Sequence, residues 1–160
     1  MNKGMIAVVS TLVGAMAGVA AATKVNIGMI ERNREMSDKH LIILRAFNEW
    51  MITKQNGKHI VDYFHKKEIK TVAIYGMSFL GERLYDELKG TDIEVKYAID
   101  KNATNIFSEI DILLPDEELP EVDAVIVTPI FFFTEIESNL APKTQAKIIP
   151  LDDILYEIQL

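Results

Sequence analysis

The residues of this chain whose types and spacing could do chemistry are Gly76, Ser78 and Gly81, set as Gly-x-Ser-x-x-Gly behind the apolar run 71–75, and Asp100, 24 positions after Gly76. A glycine at 76 permits a sharp turn from strand to helix, and a glycine at 81 lets that helix pack close to the strand, so that first-turn amides point at a bound phosphate. The candidate phosphate contacts are therefore Gly76, Met77, Ser78, Phe79, Leu80 and Gly81. The full dinucleotide fingerprint has a glycine where Ser78 stands, at the point of close backbone approach, and the serine hydroxyl can donate a hydrogen bond to phosphate in its place. Asp100 closes a second apolar run, 95–99, near the roughly 20-residue spacing at which an acid meets a ribose hydroxyl. An acid there repels a 2′-phosphate and favours NAD or another plain ribonucleotide over NADP, a preference that Lys101 softens. The competing reading of Asp100 is a strand end that starts a turn with Lys101 and Asn102. Arg83 is the nearest cation to such a phosphate, or else it pairs with Glu87 four residues on.

Alternating strands and helices must position these residues. The run 71–75 is short and β-branched, as in a parallel strand covered on both faces. A helix follows at 80–89, with Leu80, Leu84 and Leu88 on one face and Gly90 as its stop. Further strands are expected at 95–99, 110–114, 123–128 and 147–151, an acidic turn or short helix at 115–119, and helices at 131–140 and 152–158. This alternation predicts an α/β fold with a doubly wound, parallel, five-stranded sheet of order 3-2-1-4-5 and right-handed crossovers. Ligands of such sheets sit at the carboxyl ends of strands one and four, which brings the 76–81 turn, Asp100 and the Thr128-Pro129-Ile130 turn to one crevice. Thr128 can hydrogen-bond a ligand there beside Pro129. Phe131, Phe132 and Phe133 either stack on a base or divide between the core and an interface.

Ahead of the sheet, residues 5–23 carry no charge over 19 positions. As a helix this segment is about 28 Å long and just spans a hydrocarbon core of roughly 30 Å. The expectation is one transmembrane anchor, and the alternative is a signal peptide cleaved near Ala20-Ala21-Ala22 and an exported domain. Only Lys3 precedes the segment, whereas Lys24, Arg32, Arg34 and Lys39 follow it, so a single-pass protein would hold its carboxyl-terminal domain in the cytoplasm. Gly14 and Gly18 form a Gly-x-x-x-Gly through which two such helices could pair into a homodimer. A polar stem is expected at 24–36 and a helical hairpin at 37–67. The hairpin opens at Ser37-Asp38, carries Leu41, Leu44, Phe47, Trp50 and Met51 at helical spacing, and breaks at Gly57. The sheet domain occupies 70–160.

Charge and composition narrow the chemistry. Residues 1–69 hold 10 Lys+Arg against 6 Asp+Glu, and residues 70–160 hold 7 against 18. An acidic domain argues against nucleic acid as its partner, while a basic stem suits a membrane surface. The absence of cysteine removes a disulfide framework, thiolate metal sites and a cysteine nucleophile, and His40, His59 and His65 are too scattered for metal ligation, so no metal is expected. Tyr63-x-x-x-Lys67 and Tyr85-x-x-x-Lys89 match the pair used by short-chain dehydrogenases, but both come too early in the chain to lie beneath a nicotinamide. No acid, base and nucleophile converge, and the 91 residues from Lys70 leave no room for a separate substrate domain, which makes an enzyme the less favoured reading.

The segments 74–81 (IYGMSFLG), 97–101 (YAIDK), 119–128 (LPEVDAVIVT) and 151–155 (LDDIL) resemble the small Rossmann-type domains of bacterial surface-polysaccharide biosynthesis. Those domains are relatives of nucleoside-diphosphate-sugar epimerases and dehydratases, here in a short, membrane-anchored form. The resemblance runs from Trp50 onward. It implies a Rossmann-like fold, a crevice for NAD or a nucleotide-sugar, and no chemistry of its own. The function expected from it is a membrane-anchored cytoplasmic module that binds such a nucleotide and serves envelope polysaccharide synthesis as a sensor or accessory, with an envelope-biosynthesis protein or a second copy as protein partner. The alternative is a non-catalytic interaction scaffold with an empty crevice, working through the Trp50 hairpin and the 131–133 surface.

Overall fold

The computed structural model describes residues 3–160, with side chains from Gly28 onward. The chain divides into two compact units, Met1–Leu41 and Ile42–Leu160. Every described residue of the first belongs to helix α1, Lys3–Gln55, which continues as the opening helix of the second. The anchor expected at 5–23, with Gly14 and Gly18, lies outside the residues whose side chains are described. Among the described residues no helix is long and apolar enough to cross a membrane. The helix start expected at Ser37-Asp38 is not one, because α1 runs straight through it and through the polar stem before it. Residues 24–55 contain no proline and a single glycine, Gly28, so nothing there breaks a helix.

In the second unit α1 ends at Gln55, and Gly57 follows at φ +69°. The order thereafter is α2 (Ile60–Lys66), β1 (Thr71–Tyr75), α3 (Phe79–Leu88), β2 (Glu94–Ile99), β3 (Ile112–Leu113), β4 (Ala124–Val127), α4 (Phe133–Leu140), β5 (Lys147–Pro150) and α5 (Leu151–Gln159). The strands are all parallel and lie in the order β3-β2-β1-β4-β5, as the alternation of elements predicts. Strand β3 is shorter than expected, since only Ile112 and Leu113 find partners, opposite Ala98 and Ile99.

Both faces of the sheet are covered, which is why β1 and β4 are apolar at successive positions rather than at alternate ones. Val72, Ile74 and Ile126 face a core built with Trp50 of α1, Phe64 of α2, Leu84 and Leu88 of α3 and Ile154 of α5. Ala73, Tyr75, Val125 and Val127 face the other side, where α4 contributes Ile136 and Leu140. The helices before the sheet are fastened to α3 by one carboxylate. Glu87, with its side chain only 8% exposed, accepts from Trp50 Nε1 at 2.7 Å and from the Ile60 amide at 3.1 Å, and pairs with Lys54 at 2.6 Å. Glu87 therefore does not pair with Arg83, which lies in solvent beside Asp86 at 3.0 Å and Glu82 at 3.5 Å. At the amino end of the sheet, Asp123 accepts from the amides of Lys70 and Thr71, each at 2.8 Å, and from the Thr71 hydroxyl at 3.0 Å. These bonds hold its carboxyl below the usual aspartate range.

Candidate functional site

The turn between β1 and α3 is built around two glycines with different duties. Gly76 sits at φ +91°, a left-handed conformation that favours glycine, and its amide continues the ladder by donating to Ile99 O at 2.8 Å. A Cβ at 76 would also fall 2.6 Å from Pro129 Cγ and 2.9 Å from Thr128 Oγ1. Gly81 has ordinary helical geometry, but a Cβ there would stand 2.0 Å from the carbonyl oxygen of Gly76. Both glycines are thus required by packing alone.

Thr128 and Pro129 meet this turn as the topology predicts, but Thr128 is not an open ligand donor. It is buried, and its hydroxyl donates to Gly76 O at 2.7 Å, with Tyr75 O at 3.1 Å. A hydroxyl has one proton, and here that proton fixes the turn. Pro129 fills the space that the missing Gly76 side chain leaves.

Asp100 starts the turn that its position suggests and also binds the glycine turn. Its Oδ1 accepts from the Asn102 amide at 2.8 Å, the turn expected after β2, and its Oδ2 accepts from the Met77 amide at 2.9 Å. The carboxylate therefore lies directly against the glycine turn, and each oxygen keeps a second lone pair for a ligand hydroxyl. Lys101 beside it is exposed and stands 3.8 Å from Glu135.

The start of α3 is what this end of the fold leaves unsatisfied. Ser78 is the N-cap residue, exposed, and its hydroxyl makes no cap bond. The first helical bond runs from the Glu82 amide to Ser78 O at 2.9 Å, and the amides of Phe79, Leu80 and Gly81 have no acceptor among the described residues. Leu80 and Gly81 are buried, where an orphan amide is costly. Met77 and Leu80 direct their side chains into the core, whereas Phe79 is 73% exposed.

A cavity of about 400 Å³ is lined by Tyr75, which faces the second core, and by Lys101, Leu114, Pro115, Leu140 and Lys143. The Tyr75 hydroxyl is held above its ordinary range by burial and then by the charges of Asp100 and Glu135. Lys143 donates to Pro115 O at 2.7 Å and so shapes the wall. Sequence reading misses Tyr75 and Lys143 because only the fold brings them beside Lys101. A wider, open depression of about 1010 Å³ lies among the residues that lead into β1, β4 and β5, lined by the acids Glu68, Glu121 and Asp123 and by Lys143 and Lys147.

Of the three phenylalanines after β4, Phe133 packs on the second core, while Phe131 and Phe132 are partly exposed and meet edge to face at 5.3 Å. In the two Tyr-x-x-x-Lys matches the tyrosines pack on the first core and the lysines engage surface acids: Lys67 sits over the Tyr63 ring and pairs with Glu157 at 2.8 Å, and Lys89 pairs with Glu109. His65 bonds to Asp92 at 2.9 Å, and among the described residues no group of three His, Asp or Glu could hold a metal ion. Compared with known proteins, the chain matches no family model, no curated protein and no solved structure.

Proposed function

We propose that this protein binds a nucleotide, NAD or a nucleotide-sugar, at the carboxyl ends of β1, β2 and β4, and acts as an accessory or sensor rather than by turnover. In this reading residues 5–23 anchor it in a membrane with the sheet domain in the cytoplasm, where it serves envelope polysaccharide synthesis. The observation that carries the ligand class is the set of orphan first-turn amides of α3 beside the unbonded Ser78 hydroxyl, with the Asp100 carboxylate fixed against the same turn. Amides at the positive end of a helix recognise phosphate, and a carboxylate one strand away recognises ribose hydroxyls. Phosphate would complete the hydrogen bonding of Phe79, Leu80 and Gly81. Ribose would use the lone pairs of Asp100 that Met77 and Asn102 leave open.

The test is a thermal-shift panel on the full chain with NAD, NADP, UDP, UDP-glucose and ATP. A ligand that binds only the folded state adds about 2.7 kcal/mol at 100 times its dissociation constant. Ser78→Asp separates binding from folding. An acid at the N-cap strengthens the helix end by about 0.5–1 kcal/mol, yet it repels a phosphate. The expected result is a higher melting temperature without ligand and no nucleotide response. A nucleotide response that survives Ser78→Asp unchanged refutes the site.

A second reading, the interaction scaffold, is favoured by the exposed rings of Phe79, Phe131 and Phe132 at the same end of the sheet. It predicts a flat panel from a folded chain.

A further inference from the structure

A further cavity, between α1 and α5, gathers polar groups of which two have no partner among the described residues. Arg45, Ala46 and Glu49 from one face of α1 meet Asp152, Leu155 and Tyr156 of α5 around a volume of about 190 Å³. Ile42 and Ile130 complete its apolar wall. The space equals that of about six waters at liquid density, too small for a nucleotide and suited to a ligand of a comparable number of heavy atoms.

Two of its groups lack partners. Asp152 Oδ1 is buried without a hydrogen-bond partner among the described residues, and buried polar atoms are as a rule bonded, so a donor belongs there. Arg45 is exposed at the rim and forms no ion pair among the described residues, although two carboxylates line the same cavity. Glu49 is already engaged, its Oε2 accepting from Gln159 Nε2 at 2.8 Å. Burial raises the Asp152 carboxyl above its ordinary range, a shift that a cationic donor would reverse.

We infer that this cavity binds a small zwitterion of the α-amino-acid class, with its ammonium on Asp152, its carboxylate on Arg45 and an aliphatic side chain against Ile42, Ala46, Ile130 and Leu155. Each simpler ligand leaves a group unsatisfied. An anion alone brings a like charge to Asp152, an amine alone leaves Arg45 unpaired, and a neutral hydrocarbon leaves both. The site uses neither Ser78 nor Asp100 and meets the nucleotide crevice only at Ile130 of the turn after β4, so each is tested separately.

The experiment is an NMR titration of the isotope-labelled full chain with L-alanine, L-valine and L-leucine, and with isovalerate and isobutylamine as valine lacking its ammonium or its carboxylate. The expected result is a saturable shift of the Ala46 and Leu155 amides with at least one amino acid. Each valine analogue, and each of the variants Asp152→Asn and Arg45→Gln, should weaken binding at least about tenfold, as expected when a charged hydrogen bond is lost. Three results overturn the inference: no saturable shift with any of the three amino acids, an analogue that binds as tightly as valine, or a folded variant with unchanged affinity.

Discussion

Replacing Gly81 by alanine should unlock α3 from the sheet. The new Cβ would stand 2.0 Å from Gly76 O and 3.0 Å from Gly76 C, and real Cβ contacts do not fall below 3.0 Å, so the helix must retreat from the turn by about 1 Å. The obstacle is backbone already fixed by Ile99 and Thr128, and no rotamer change can clear it. The retreat loosens Leu80, Leu84 and Leu88, all almost fully buried, and stretches the bonds of Glu87 to Trp50 and Ile60. Overpacking of this kind costs about 3 kcal/mol, from which the better helix propensity of alanine takes back about 1 kcal/mol. The net loss of about 2 kcal/mol corresponds to a fall of about 4–8 °C in Tm for a chain of this size. Thermal unfolding followed by circular dichroism measures it, with Gly28→Ala as the control, because a Cβ there meets nothing within 4 Å and should leave the transition unchanged or raise it. A Gly81→Ala protein that melts with the wild type would show that α3 does not rest on the Gly76 carbonyl. If the fold suffers as expected, Gly81 cannot report on ligand binding, which is why Ser78 carries that test.

Two further outcomes follow from single side chains. Glu87→Ala strands Trp50 Nε1, the Ile60 amide and Lys54 together and should cost about 3 kcal/mol, read as a lower denaturant midpoint and a red-shifted Trp50 emission; an unshifted midpoint would mean that α1 and α2 are held by apolar contacts alone. Asp123, whose carboxyl is held low by Lys70 and Thr71, adds stability that is complete above the unfolded aspartate pKa and is lost as pH falls through the lower folded one. Asp123→Asn should therefore melt earlier than wild type at neutral pH and converge with it in acid, whereas an equal deficit at every pH would assign the loss to packing.

The sheet was legible because its signals are local. A β-branched run, a glycine turn and a leucine-faced helix announce β1 and α3, and the same alternation repeats to α5, so strand order followed from general rules of connection. The helix start at Ser37-Asp38 misled because a capping pair initiates a helix only where the preceding chain is not already helical, and residues 24–36 offer no breaker. The pairing of Arg83 with Glu87, one of the two readings that spacing allows, does not form. On α3, position 87 turns with Leu80, Leu84 and Leu88 toward α1 and α2, so the tertiary neighbour wins over the helical one. Tyr75, Lys143 and the Arg45–Asp152 cavity left no mark in the sequence, since each depends on residues brought together only by the fold.

The glycine motif illustrates why a fingerprint underdetermines function. Every residue of it can be explained without a ligand: Gly76 clears Pro129, Gly81 clears Gly76, Thr128 ties the turn, and Asp100 caps Met77 while starting the next turn. A ligand can be inferred only from groups that remain unsatisfied once those duties are discharged, because a folded chain does not otherwise retain buried donors and acceptors without partners. Among the described residues those groups at the sheet end are the amides of Phe79, Leu80 and Gly81 with the Ser78 hydroxyl, donors at a positive helix end, and the proposed nucleotide would meet them with an anion. Between α1 and α5 they are, among the described residues, an acceptor, Asp152 Oδ1, and a cation, Arg45, and the proposed zwitterion would meet both. The two proposals therefore call for different chemistry, and each is tested by compounds the other does not use.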